Sequence, residues 1–325
     1  MLSLVQEGQY YQIFLSQGLC LGIGLSLIYV PSFTLVSHYF KSRKALAMGL
    51  LAASTPLGGI VYSIMLNQLI ELKTGFAWGV RAAAFLTLGC SVCGHLLIYV
   101  PPRPASAGRA VTTKANNYIL LRNLPYLLTL LSGFIGQLGT YFPVFYVQLF
   151  AEQHGISHTL AFYALAILNG AGVFGRIIPN HLADRYGVIE VYIICSALCG
   201  FVGFAMLGCG SPPGLVLFCI FYGFFFNSAT SLYIPLAAAI IPKGADVGLG
   251  LGIAVAPVGL ASLIGSPMIG AIIGKDFVWW KGIIFASLCV VGAAVIMVVA
   301  RYFHVKERRR SESFPVMQEY ELVEP

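Results

Sequence analysis

The residues of this sequence best suited to chemistry are polar side chains set inside long apolar runs. Arg176 lies within the run Thr159–Asn180. Its planar, always charged fork of N–H donors suits a carboxylate or another paired acceptor. An arginine in hydrocarbon costs about 2.5–3.5 kcal/mol on insertion scales, so it faces a cavity or a partner, or snorkels to the headgroups. Asn169 lies two helical turns before it, on the same face. Gln137 and Tyr141 are i, i+4 neighbours ahead of Pro143, and Asn227 interrupts an aromatic run together with Ser228 and Thr230. Each of these groups can bind a small solute, or equally a neighbouring helix, because every polar group in hydrocarbon needs a partner. Asp184 and Arg185 follow the arginine's run. The aspartate can accept from a helix N-terminus and so latch one conformation, and a solvated loop pair is the plainer alternative.

The elements that carry these residues must be membrane helices. Of 325 residues 58% are apolar, only 10% are charged, and the mean hydropathy is +0.84. Soluble domains carry about 25% charged residues, and none could hide this much apolar surface. The apolar runs reach the length of about 20 residues that a helix needs to cross hydrocarbon, and the short alternating strands of a barrel are not seen. The expected fold is therefore all-α and polytopic. Nine spans are read, at Tyr11–Val36, Ala45–Ile70, Phe76–Val100, Tyr126–Phe150, Thr159–Asn180, Ile189–Leu207, Gly214–Ile241, Val247–Ile273 and Gly282–Phe303.

Basic residues fix the topology. The net charge is +7, carried in short connections and the tail rather than on one contiguous face, which argues against a nucleic-acid partner. Lys41, Arg43 and Lys44 follow the first span, Arg103 to Arg122 the third, Arg185 the fifth, Lys243 the seventh, and Lys306 with Arg308 to Arg310 the ninth. By the positive-inside rule these connections and the C-terminus are cytoplasmic, and the N-terminus lies outside. The expected organisation is a partial N-terminal bundle of three spans (1–100), a cytoplasmic inter-bundle loop (101–125), a six-helix bundle (126–304) and a disordered cytoplasmic tail (305–325). No nucleophile–base set, phosphate loop or cofactor motif appears in a plausible context, so an enzyme is not expected. Cys90 and Cys93 have the spacing of a metal half-site, but they lie within a span without a second pair, and no metal is expected.

A repeat runs through the chain at one constant offset. Gly49, Pro56 and Gly58 recur as Gly250, Pro257 and Gly259, each set early in a glycine-rich span after a basic loop. Small residues at such spacing let helix backbones approach closely, and parallel halves are a known transporter plan. If the second span repeats the eighth, the three earlier spans equal the later half of a six-span unit. The chain then reads as a two-unit protein without its first three spans.

The stretch His38-Tyr39-Phe40-Lys41-Ser42-Arg43-Lys44-Ala45-Leu46-Ala47-Met48-Gly49 resembles the loop and fifth-helix signature of the monocarboxylate transporter-like branch of the major facilitator superfamily. Its fungal, riboflavin transporter-like members are the nearest in pattern. Trp78-Gly79-Val80-Arg81 is similar to the opening of their sixth helix. Val173-Phe174-Gly175-Arg176 with Asp184-Arg185-Tyr186-Gly187 is similar to their eighth helix and the loop after it. The resemblance implies a secondary transporter, a symporter where a proton is coupled, that moves a small monocarboxylate-like or riboflavin-like solute by alternating access. An anion is one option for that solute. It implies the lipid bilayer, by default the plasma membrane, as the other partner; the polar residues inside the spans, Arg176, Asn169, Gln137, Tyr141 and Asn227, are the expected solute contacts by their own chemistry. Asp184 and Arg185, with the repeated Gly49, Pro56, Gly58, Gly250, Pro257 and Gly259, would serve gating and packing. Proton coupling is left open, because Gly172 stands where carboxylate-transporting relatives carry an aspartate one turn before the arginine, and Asn180 replaces a superfamily glycine. The alternative expectation is a truncated, non-transporting membrane fragment that senses or scaffolds.

Overall fold

Helix boundaries follow from the caps the sequence supplies. The computed structural model describes residues 2–4, 9–40, 43–72, 75–97, 118–242 and 244–313, and among these it is helical without strands. A short α1 (Tyr10–Ile13) and a π-helical stretch (Phe14–Cys20) lead into α2 (Leu21–Tyr39), followed by α3 (Lys44–Leu72) and α4 (Gly75–Leu97). After the single turn α5 (Tyr118–Arg122) come α6 (Leu124–Thr140), α7 (Phe142–Gln153), α8 (His158–Tyr186), α9 (Val188–Ala205), α10 (Pro212–Ile240), α11 (Val247–Ile273) and α12 (Trp279–Ser313). Asn123, Ser157 and Asp246 cap α6, α8 and α11, each side chain accepting an N–H of the first turn. Gly187 and Gly274, at φ +100° and +69°, end α8 and α11 in a conformation that glycine adopts without strain.

Among the described residues, nine segments are long and apolar enough to cross a membrane, and each overlaps one of the spans read from the sequence. Three details differ. The fourth span is one crossing segment, as read, but it is bent between two helices: Pro143 has no N–H for the Gly139 carbonyl, and the chain turns at Tyr141, whose own N–H takes that carbonyl instead. The fifth span does not stop at Asn180 but continues to Tyr186. Pro179 removes one backbone bond, and Ser228 of α10 answers the freed Gly175 carbonyl at 2.8 Å, so the helix survives its proline. Asp184 and Arg185 therefore stand on the last helical turn rather than in a loop. The ninth span runs to Ser313, so residues 305–313 are helix and not disordered tail; Lys306, Glu307 and Arg308 are good helix formers. Lys41, Arg103, Arg109, Lys114, Lys243, Ile98 to Val100 and the residues after Ser313 lie outside the described residues.

The six later spans pack tightly around α10, whose interior-facing Phe218, Tyr222, Phe226 and Leu232 are almost wholly buried. Close backbone approach at glycine makes this possible. A Cβ on Gly139 would meet the Ala286 carbonyl at 2.1 Å, one on Gly175 the Phe224 carbonyl at 2.2 Å, and one on Gly223 the Leu168 carbonyl at 2.2 Å. In the earlier spans α3 meets α8 at Gly49 and Gly59 and shares an apolar cluster with α10 and α11 through Met48 and Ala52, while the apolar outer faces of α2 and α4 are exposed among the described residues. The repeated glycines divide. Gly49 and Gly250 sit against neighbours that a Cβ would strike, whereas Gly259 has nothing within 4 Å and Gly58 only Tyr62 at 3.9 Å. Close packing is therefore a property of the first glycine of each repeat and not of the second, which faces open space.

Gly223→Ala would force a backbone carbonyl to move. It should lower the melting temperature of the detergent-purified protein by roughly 3–10 °C, from an overpacking cost of about 1–3 kcal/mol. Gly252, with nothing within 4 Å, should tolerate alanine with the melting temperature unchanged or slightly raised. Thermal unfolding followed by tryptophan fluorescence separates the two.

Candidate functional site

A cavity of about 120 Å³ opens between α6, α9, α10, α11 and α12, with Tyr29 of α2 at its edge. Its polar lining includes Gln137, Tyr141, Tyr192, Thr230 and Tyr233, and none of its described lining residues is charged. The break in the fourth span shapes it. Tyr141 occupies the joint between α6 and α7, stays within hydrogen-bonding reach of Gln137, and sets its ring edge-on to Phe226 at 5.2 Å. The expectation that Gln137 and Tyr141 share a face thus holds across the joint. Gln137 Nε2 donates to Ser262 Oγ of α11 at 2.8 Å, and Tyr233 donates to the Ala254 carbonyl at 3.1 Å. Gly133 leaves room for the Tyr233 hydroxyl, which a Cβ would meet at 2.3 Å. Helices α6, α10 and α11 are thereby joined around the cavity by side chains that still present hydroxyl and amide groups to it.

Arg176 stands one layer behind this lining. It is 7% exposed, points inward from α8, and does not reach the headgroups. Its Nε donates to Asn227 Oδ1 of α10 at 2.8 Å and its Nη1 to the Ala52 carbonyl of α3 at 2.8 Å. Tyr29 and Tyr141, both at the cavity, lie within electrostatic reach of the guanidinium. One side chain therefore joins an earlier span to two later ones. Asn227 is held in turn by its Nδ2, which donates to the Gly223 carbonyl at 3.0 Å, and by Gly172, whose added Cβ would lie 2.2 Å from that nitrogen. The space an aspartate at 172 would need is filled by Asn227, so the arginine's side-chain partner is a neutral amide instead of a carboxylate.

Asn169 is brought to neither group. Its Nδ2 donates to the Leu165 carbonyl of its own helix at 3.0 Å, and it packs on Gly59 of α3. Asp184 reaches across to the start of α3. Its two carboxylate oxygens accept from the N–H groups of Ala45 and Leu46, each at 2.9 Å, which completes the first turn of that helix from outside. Arg185 is exposed. Between these contacts Gly49 lets α3 touch α8 directly: a Cβ there would meet the Arg176 carbonyl at 2.5 Å and Asn180 Cβ at 2.6 Å. Asn180 donates to the Arg176 carbonyl and to Ser231 Oγ, each at 2.7 Å, while its Oδ1 is a buried acceptor without a partner.

Sequence reading missed Tyr192 as a cavity residue, since a lone tyrosine in an apolar helix is not distinguishable from packing. It also missed the Ala52 carbonyl as the arginine's partner. A signal for that existed in Pro56, which stands four residues on with no N–H to occupy it. Among the described residues no cluster of metal-ligating side chains occurs, and Cys90 and Cys93 are exposed on α4.

The family model described as "Major Facilitator Superfamily" matches residues 1–207 and 180–320. Over 298 residues the chain is 32% identical to "MFS-type transporter 1" of Ophiocordyceps sp., covering 90% of this chain and 65% of that protein. It is 33% identical over 310 residues to an "MFS-type transporter" of Gibberella moniliformis, covering 93% of this chain and 72% of the relative. It is 30% identical over 291 residues to the "Aspyridones efflux protein" of Emericella nidulans, covering 89% and 57%. The chain thus spans roughly three fifths to three quarters of the length of these curated relatives. The family match takes in the helices on both sides of the cavity, and the chain belongs to the major facilitator superfamily, a family of membrane transporters.

Proposed function

We propose that this protein moves a small organic solute across the membrane by alternating access, as a secondary transporter, and that the solute is uncharged where it is held. The uncharged cavity lined by tyrosines, a threonine and a glutamine carries this reading. Such walls hydrogen-bond hydroxyl and carbonyl edges and offer no counter-charge, which suits a neutral polar solute such as a riboflavin-like one better than a simple monocarboxylate; at about 120 Å³ the cavity takes only part of such a solute until its walls move apart. Arg176, the one group with the fork geometry for a carboxylate, already donates to Asn227 and Ala52 and does not line the cavity. Gln137, Tyr141 and Thr230 contact the solute. Arg176 and Asn227 act behind them, coupling the cavity wall to the contact between earlier and later spans. Proton coupling through an acidic partner of Arg176 has no support at Gly172.

The three earlier spans belong to one moving bundle and the six later ones to the other. Charge alternation puts the α3 N-terminus, the α8 C-terminus and the chain's C-terminus on the cytoplasmic side, with the plasma membrane the default location. At that end Asp184 of α8 holds the α3 N-terminus across the two groups, and Gly49 and Asn180 bring the two helices into backbone contact beside it. These contacts favour a state sealed toward the cytoplasm. The relative from Emericella nidulans bears the name of an efflux protein, and outward movement is the direction we favour here.

In proteoliposomes, initial rates of tritiated riboflavin uptake, with lactate as the carboxylate control, should separate the two groups of residues. Gln137→Leu should raise KM by roughly tenfold with the maximal rate little changed, the loss of about one solute hydrogen bond. Arg176→Ala should do the reverse, lowering the maximal rate while KM stays within about threefold. A KM effect at Arg176 as large as at Gln137 would return the arginine to the solute site. Saturable lactate uptake without riboflavin uptake would overturn the uncharged-solute reading.

Asp184→Asn keeps the shape of the side chain but removes the charge that favours the α3 N-terminus. Maximal uptake should fall about three- to tenfold for the loss of a charge-assisted contact, with the melting temperature shifted by only a few degrees. An unchanged rate would remove Asp184 from the gating contact.

A further inference from the structure

Helix-interior prolines leave carbonyls without their usual donor, and in hydrocarbon there is no water to replace it. Two of these freed carbonyls receive side chains from a neighbouring helix. Pro179 releases the Gly175 carbonyl and Ser228 of α10 takes it, wholly among the later spans. Pro56 releases the Ala52 carbonyl and Arg176 of α8 takes it, across the contact between an earlier and a later span. The first pairing stays within one packed unit, while the second breaks whenever α3 leaves α8. Ala52 is 2% exposed, so its carbonyl finds no solvent in the closed contact, and Gly49 one turn earlier brings the backbones near enough for the guanidinium to reach.

We infer that Pro56 is a positioning residue for Arg176: by withholding an N–H from Ala52 it turns that carbonyl into the receptor that docks α8 onto α3. The arginine gains a second acceptor beside Asn227 only in the closed contact, and the bond is directional, so it fixes the register of the two helices as well as their approach. The inference rests on the alternating-access reading for its consequence in transport, but the dock itself is a property of the closed contact. With alanine at position 56, the new N–H would satisfy Ala52 within α3 and leave the arginine to compete for it.

Hydrogen exchange of the Ala45 and Leu46 amides reports the contact without any transport assay, because the Asp184 carboxylate shields both only while α3 and α8 touch. The measurement compares the nanodisc-reconstituted full chain with Pro56→Ala, Arg176→Met and the double variant. Arg176→Met alone strands a buried carbonyl as well as losing the bond, and should speed exchange about tenfold or more. In the Pro56→Ala background the same substitution should speed exchange less than about threefold, since Ala52 then has its intrahelical donor. Equal acceleration in both backgrounds would overturn the inference. Should Arg176→Met not fold, Arg176→Lys takes its place with the same comparison, because a single ammonium does not reproduce the fork that spans Asn227 and Ala52. Failure of riboflavin uptake with the non-additivity intact would sink the proposed solute and leave the dock standing.

Discussion

In hydrocarbon every backbone carbonyl must find a donor, and a proline inside a helix guarantees that one carbonyl will look for it elsewhere. Much of the architecture at the centre of this protein follows from that single requirement. At Gly139 the freed carbonyl is taken by the next turn of chain, which breaks a span and sets Tyr141 at the cavity. At Gly175 it is taken by Ser228, which keeps α8 whole and fastens it to α10. At Ala52 it is taken by Arg176, which reaches from one group of helices to another. The same chemical need produces a joint, a rivet and a dock, and the difference lies in which helix is near enough to answer.

The repeat-related helices α3 and α11 make the asymmetry of the contact visible. Both begin with a first turn whose N–H groups need acceptors. In α11 the acceptor is Asp246, immediately ahead in the chain, and it serves that helix whatever its neighbours do. In α3 the acceptor is Asp184, at the far end of α8. A cap supplied from within the chain segment stabilises a helix, whereas a cap supplied by a neighbour stabilises a contact. The glycines differ in the same sense. Gly49 meets the backbone of α8, while the neighbour of Gly250 is the flexible end of Ile241, a side chain that can move aside. Two similar sequences are thus used once inside one packed unit and once at the contact between earlier and later spans.

Much of this was legible in the residues. Apolar run length alone located all nine membrane-crossing segments among the described residues, because hydrocarbon thickness leaves little freedom. The helix ends were less legible: the sequence could not tell that Pro143 would break its span while Pro179 would not, since the outcome depends on whether a donor such as Ser228 stands across the gap. The same holds for the site. Gln137 and Tyr141 were recoverable from i, i+4 spacing, which is local. The pairing of Arg176 with Asn227 and Ala52 was not, because it joins three helices far apart in the chain. Asn169 shares a helix and a face with Arg176 and yet belongs to neither cluster: it meets the same α3 at Gly59, which offers it no side chain, and its amide turns back to the Leu165 carbonyl of its own helix.

Asn180 bears on how firmly the contact is held. Its Nδ2 is committed to the Arg176 carbonyl and Ser231, so the amide cannot turn over, and its Oδ1 is left buried without a donor. A stranded acceptor of this kind costs about 1–3 kcal/mol, comparable to what a charge-assisted bond such as that of Arg176 to Ala52 contributes. The closed contact thus combines a cap and a dock that favour it with an orphan that opposes it, next to the glycine where α3 touches α8. A moving interface needs such a balance. If the favourable terms stood alone, one state would hold the population and the cycle would stall, since shifting an equilibrium from one side to the other takes roughly 5.5 kcal/mol of differential binding. On the proposed alternating-access cycle, an opposing term of the same order as the dock would narrow the gap that solute binding has to bridge.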